Sequence, residues 1–156
     1  SRPTVLDYGC GYGAYAEHLK RHDIEVNFTG YDLVKDSIQM AKEKNPNGNW
    51  ISALPEGEMW DYVLASGIFN TLAETSREDW ESYIFQTLSE LHSLSNKAFG
   101  CNFLTDYSDK DKMRPDLYYA DPAKILSYCL KKFGRTVTLI HDYPLYEFTI
   151  LVRSTK

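Results

Sequence analysis

The sequence predicts an α/β fold in which strands and helices alternate along one domain, residues 1–156. Three observations predict it. A short apolar stretch, Thr4-Val5-Leu6-Asp7, enters a loop with glycine at every second position, Gly9-Cys10-Gly11-Tyr12-Gly13, and leaves it in helical spacing. Downstream, β-branched and aromatic runs alternate with segments of helical periodicity. The chain closes on two strand-like segments joined by a bend, the second with clear period-two alternation.

Composition narrows the partners. At 156 residues the chain has the size of one domain and can bury about two-thirds of its unfolded surface. A hydrophobic share of 43% against 25% charged is that of a soluble globular protein. No apolar run reaches bilayer-spanning length and no signal-peptide pattern opens the chain, so no membrane partner is expected. With 17 basic and 22 acidic residues the net charge is −5, which argues against a nucleic-acid substrate held through its phosphates. Cys10, Cys101 and Cys129 are odd in number and widely spaced. They form neither a disulfide framework nor zinc spacing, and the reducing cytoplasm is the expected compartment. No His/Asp/Glu cluster has metal-ligand spacing, so no metal is expected.

Each element follows in order. The first strand closes on Asp7. Glycine has no β-carbon, so the loop can take turn angles barred to other residues and let a ligand touch the main chain. The next helix starts near Gly13 or Ala14 and aims free N–H groups and a positive dipole end into the same space. Tyr15, Ala16 and Leu19 form its apolar face, to about His22. Residues 25–31 read as the second strand, ending at Asp32. That carboxylate can accept from two ribose hydroxyls, or stand as the N-terminal acid of the helix carrying Val34, Ile38 and Ala41. With Asp7 and the glycines upstream, the ligand reading is favoured. Asn45-Pro46-Asn47-Gly48 ends the helix.

Residues 49–53 are a third strand, and Pro55-Glu56-Gly57-Glu58 is too short for a full crossover helix. Residues 60–67 are the fourth strand. Ser76-x-x-Asp79 caps a long helix with Trp80, Ile84, Thr87, Leu88 and Leu91 on its core face. Residues 97–104 are the fifth strand, closed by Thr105-Asp106-Tyr107. Residues 108–120 are polar and without period, long for a connection in a compact domain. They read as a solvated loop or, through Tyr118 and Tyr119, as the wall of a site. Asp121-Pro122 opens the last helix and Gly134 ends it, with Ile125, Leu126, Cys129, Leu130 and Phe133 inward. Residues 136–141 and 146–152 are the closing strands.

Alone, the loop also fits a dinucleotide fingerprint, because Gly9-x-Gly11-x-x-Ala14 has its spacing. Asp7, two residues before the first glycine, together with Gly9-x-Gly11-x-Gly13 resembles the first motif of the class I S-adenosylmethionine-dependent methyltransferases. Nicotinamide-binding folds usually have an apolar residue there. Asp61 followed by apolar and then small residues to Gly67 resembles that family's fourth motif, and the closing hairpin resembles its last strand pair. The resemblance spans residues 5–152. It implies a Rossmann-like three-layer sandwich whose seven-stranded sheet is ordered 3-2-1-4-5-7-6, with strand seven antiparallel. It implies S-adenosylmethionine as cofactor and S-adenosylhomocysteine as product. The residues implied to hold them are Asp7, Gly9, Cys10, Gly11, Tyr12, Gly13, Asp32, Leu33, Ser52, Ala53, Ser66, Gly67 and Ile68. Relatives often place an acid after the third strand to meet the adenine amino group, and Ser52-Ala53-Leu54 departs from that.

The implied reaction is in-line methyl transfer to a small-molecule acceptor. A sulfonium methyl is already activated, so the protein mainly holds a nucleophile in line with it. His141, Tyr107 and Asn70 are candidates for a base or an acceptor contact, with Tyr118 and Tyr119 as wall or lid. His141 reads first as an ordinary strand-end histidine, and Asn70 equally as a loop cap. Two further readings stay open: a relative that binds the cofactor or a partner without transferring anything, and a nicotinamide-dependent oxidoreductase. Only Ser1-Arg2-Pro3 precede the first strand, where the family usually has helices that roof the acceptor. The chain is therefore expected to lack an upstream helical segment.

Overall fold

The apolar run near the start becomes a central strand, β1 (Thr4–Tyr8), from which the chain winds outward in both directions. The computed structural model describes residues 1–155; Lys156, the last residue of the expected domain, lies outside them. After β1 come α1 (Ala14–Arg21), β2 (Asn27–Tyr31), α2 (Lys35–Lys44), β3 (Asn49–Ile51) and β4 (Trp60–Ala65). Then follow α3 (Arg77–Leu94), β5 (Ser95–Thr105), a 3-10 turn (Lys110–Lys112), β6 (Tyr119–Ala120), α4 (Pro122–Phe133), β7 (Val137–Ile140) and β8 (Glu147–Arg153).

The sheet runs β3-β2-β1-β4-β5-β8-β7. Pairing is parallel from β3 to β5, and β8 is antiparallel to both β5 and β7. This is the expected order with the last two strands renumbered. The count differs because β6 lies within the segment read as structureless, beside the end of β5 with Leu104 opposite Tyr119 and Thr105 opposite Ala120. Two residues carry no periodicity from which a strand can be read.

Alternating side chains give the sheet two apolar faces. On one face Leu6, Val63, Phe99, Phe148 and Ile150 pack with Ile84, Leu88 and Leu91 of α3 and Ile125 and Cys129 of α4. On the other, Phe28 and Trp50 pack with Cys10, Ala16, Ile38 and Ala41, beneath α1 and α2. The caps are as expected. Ser76 Oγ accepts from the Asp79 N–H at 3.1 Å, and Asp121 Oδ1 accepts from those of Ala123 and Lys124. Such caps are each worth about 1 kcal/mol.

Several boundaries shift. β2 starts two residues late, at Asn27, and β3 stops at Ile51, leaving Ser52 and Ala53 exposed in a loop. No helix joins β3 to β4. On α4, Leu130 is exposed and Tyr128 turns inward instead, stacked 4.2 Å from Phe85. Residues 108–120 are tied down: the Asp116 carbonyl accepts from Leu72 and Ala73, and the Asn70 carbonyl from Tyr118 at 2.8 Å.

Candidate functional site

The glycine loop hangs from the end of β2, where the Tyr31 carbonyl accepts from both Gly9 and Cys10 at 2.8 and 2.9 Å. Its three glycines serve different ends. A Cβ on Gly9 would stand 2.5 Å from Ile68 Cγ2, and one on Gly13 would stand 2.6 Å from the Trp50 indole. Both positions are small because protein packs against them. Gly11, at φ +54°, has no atom within 4 Å of that point and is the one open to a ligand. Trp50 explains two further glycines, since a Cβ on Gly30 or Gly48 would also run into its ring. The Cys10 side chain turns inward onto Ile38, Ala41 and Trp50. Burial, then the charges of Asp7 and Asp32, push its thiol up to about 12. Cys10 therefore offers a ligand only its backbone.

Asp32 serves the helix entry, one of its two readings, and also holds the glycine loop. Its Oδ1 accepts from the Val34 N–H at 2.9 Å, shaping the entry to α2, whose N-cap is Val34 itself. Its Oδ2 accepts from the Gly11 N–H at 2.9 Å. Each oxygen keeps a lone pair for a further donor.

Asp7 is 5% exposed, and its carboxylate accepts no hydrogen bond among the described residues. Burial first, and the charge of Asp32 second, push its carboxyl up to about 7. It faces two adjoining cavities at the C-terminal edge of the strands. One, about 330 Å³, is lined by Gly9, Cys10, Tyr15, His18 and Ser66; the other, about 200 Å³, by Leu64, Ser66, Gly100, Asn102 and Leu151. A larger groove of about 690 Å³ lies at the opposite edge, around Thr4, Phe28, Asn49 and Trp60. Open α/β sheets bind ligands at the C-terminal strand ends where the order reverses, so the smaller pair at Asp7 is the candidate site.

Ser66 borders both cavities, and Ile68 covers Gly9. The residue that holds them is Asn102, which sequence reasoning missed. Its Oδ1 accepts from the Gly67 N–H at 2.7 Å and its Nδ2 donates to Ser66 Oγ at 3.2 Å. The available signal was an amide inside the otherwise apolar run from Phe99 to Leu104. Tyr15, read as part of an apolar helix face, and His18 on the same helix also reach the cleft.

The acceptor-side candidates divide. Tyr107, 79% exposed, stands edge-on to His141 with ring centroids 6.1 Å apart. His141 Nε2 lies 2.8 Å from Thr105 Oγ1, and its ring is parallel to Phe148. These two meet at the end of β5. Asn70 lies beyond β4, and its buried Oδ1 has no hydrogen-bond partner among the described residues. Tyr118 is not a lid. It is 2% exposed, donates to Glu81 at 3.0 Å and carries the Arg77 guanidinium 4.6 Å over its ring. The Tyr119 hydroxyl accepts from the Arg114 N–H at 2.9 Å and ties down its own loop. Asp106, raised by burial and by Asp121, lies at the end of β5 outside both cavities. Tyr12 and Leu33 are exposed at the rim, Tyr12 beneath the Lys44 ammonium. Among the described residues no cluster of His, Cys, Asp and Glu could hold a metal ion, and no helix is long and apolar enough to cross a membrane.

Known proteins resemble this chain in sequence and fold. The family model described as "Methyltransferase domain" matches residues 5–90. A protein of Mycobacterium tuberculosis named "Putative methyltransferase Rv1506c" is 40% identical over 156 residues, covering 98% of this chain and 94% of that one. The chain belongs to the methyltransferase family. The class I resemblance carried by Asp7 and the glycine loop is borne out, and a methyltransferase displaces the nicotinamide-dependent alternative. Among solved structures, magnesium protoporphyrin IX methyltransferase from Synechocystis PCC 6803 with bound SAM superposes with a TM-score of 0.68 at 16% identity. It covers 99% of this chain and 71% of that one. The plantazolicin methyltransferase BpumL, in complex with a pentazolic desmethylPZN analog and SAH, gives 0.68 at 14% identity, covering 99% and 77%. At those identities the likeness is one of fold.

Proposed function

We propose that this methyltransferase uses S-adenosylmethionine and methylates a small-molecule acceptor. The observation that carries the reading is the Asp7 carboxylate, buried, without a hydrogen bond and facing the cavity beside the open point of the glycine loop. A buried acid with no partner is unfavourable, and a cationic ligand offsets that cost. When bound, the cofactor supplies an activated methyl on a positively charged sulfur, along with an ammonium group. Asp7 would face that positive charge. The loop backbone at Gly11 would take the close approach, and the spare lone pairs of Asp32 would accept from the ribose hydroxyls. Ser66, Gly67 and Ile68 would wall the methyl end, with Leu33 and the loop at Ser52 and Ala53 left to border the adenine.

For the acceptor, the net charge of −5 speaks against nucleic acid, and Asn70, Tyr107 and His141, none of which lines either cavity at Asp7, are the candidates to meet a small molecule beyond them. Thr105 holds the His141 ring, which could take a proton from the accepting atom. All three cysteines are free and buried, which supports a reducing compartment, the cytoplasm. The test is calorimetry with S-adenosylmethionine, S-adenosylhomocysteine and NADH, then methyl transfer from labelled cofactor into a metabolite extract. The first two ligands bind, NADH does not, and label appears in small molecules. Binding without transfer to any acceptor would instead mark a non-catalytic relative.

A further inference from the structure

We propose that Asn102 is a positioning residue for methyl transfer: through two hydrogen bonds it sets the Ser66-Gly67 turn against which the cofactor lies. The inference rests on the cofactor reading above. Along β5 the odd-numbered Phe99, Cys101, Phe103 and Thr105 point into the core, which sends Asn102 to the opposite face, where it is half-buried beside Gly100 and the cavity that Asp7 borders. A half-buried amide on an apolar strand is unfavourable unless both of its ends are satisfied. Here both ends are spent on one turn, more than thirty residues upstream.

The turn needs this support. Gly67 sits at φ +75°, a left-handed conformation that takes its N–H out of the strand ladder. Asn102 Oδ1 is the acceptor that N–H finds, and this fixes which end of the amide is oxygen, since Nδ2 would set donor against donor. The consequence reaches further than the turn. Ser66 borders both cavities, and Ile68, the next residue but one, lies over Gly9. Freeing Gly67 would let the wall over the glycine loop shift, although Asn102 makes no hydrogen bond to the loop itself.

The chemistry also explains an amide here rather than an acid. A carboxylate could make the same geometry, accepting from the Gly67 N–H and from the Ser66 hydroxyl. It would place a further negative charge in a cleft that already holds Asp7 and Asp32. The sulfonium cofactor carries one more positive charge than its thioether product. Added negative charge in this cavity therefore favours cofactor over product and opposes the loss of the sulfonium charge that methyl transfer entails.

The experiment measures dissociation constants of S-adenosylmethionine and S-adenosylhomocysteine by calorimetry for the wild type, Asn102→Leu and Asn102→Asp, with amide hydrogen exchange at Gly67. Asn102→Leu should weaken both ligands about tenfold, about 1.4 kcal/mol, and speed exchange at Gly67. Asn102→Asp should keep the slow exchange and raise the preference for S-adenosylmethionine over S-adenosylhomocysteine about threefold or more. Purely structural damage would not move that ratio. If Asn102→Leu does not fold, the Asp variant decides alone. Leu-variant affinities within about twofold of wild type, unchanged exchange at Gly67, or an unchanged ligand ratio in Asn102→Asp would each overturn the proposal. A wild type that binds neither ligand overturns the cofactor reading instead.

Discussion

The Gly11 backbone N–H donates to Asp32 Oδ2 at 2.9 Å, joining the open point of the glycine loop to the acid that ends β2. The acid proposed for the ribose therefore also holds the loop that would meet the rest of the ligand. Asp32→Ala should cost both contributions. Losing the charge-assisted bonds of this carboxylate should cost about 1.5–3 kcal/mol in all, so cofactor affinity should fall by roughly 10- to 150-fold in calorimetry. A dissociation constant within about twofold of wild type would show that Asp32 serves only the fold.

Gly11 is the one loop glycine with space in front of it. Gly11→Val forces a β-branched residue to φ +54°, a strain of about 1–2 kcal/mol, and fills the space. The domain should keep its circular dichroism and lose about 2–8 °C in melting temperature, while cofactor binding disappears. Retained binding would mean that the glycine serves the turn alone.

Asp7 links stability to pH. Its folded carboxyl is raised to about 7 from an ordinary 3.8, so the folded chain holds a proton that the unfolded chain releases. Its contribution to stability is fully present below about 4 and is lost as pH rises through about 7. Asp7→Asn removes the titration. The ligand-free variant should melt above wild type at pH 8, by a margin that narrows as pH falls towards 4. Cofactor affinity of the wild type should strengthen as pH rises through 7, because the charged form is the one that faces a cation, and that slope should vanish in Asp7→Asn. Parallel melting curves of the two proteins across this range would refute the assignment.

Tyr118 separates core from lid. Its hydroxyl meets Glu81, which Lys124 first and Tyr118 next hold below its ordinary value. Tyr118→Phe should lower stability by about 1 kcal/mol, leaving Glu81 to Lys124 and Arg77. Methyl transfer should be unchanged at temperatures where the variant is folded. A selective fall in turnover would restore the lid.

The sequence by itself determined the alternation of strands and helices, the caps at Ser76 and Asp121, the antiparallel closing pair and the cluster of Asp7, the glycine loop and Asp32. Each is local or one strand away: a period of two or 3.6, a cap three residues from its partner, a glycine motif within nine residues and Asp32 at the end of the next strand. Only the tertiary structure decided that Gly9 and Gly13 are small for Ile68 and Trp50 rather than for a ligand. It also decided that Tyr118 is core, that residues 119 and 120 extend the sheet, and that Asn102 holds the turn after β4. These depend on pairs distant in sequence, from fifteen residues for Thr105 with Ala120 to more than thirty for Asn102 with Gly67 and Tyr118 with Glu81. A polar side chain shows its residue type in sequence, but its partner is set by which strands become neighbours and which face each presents.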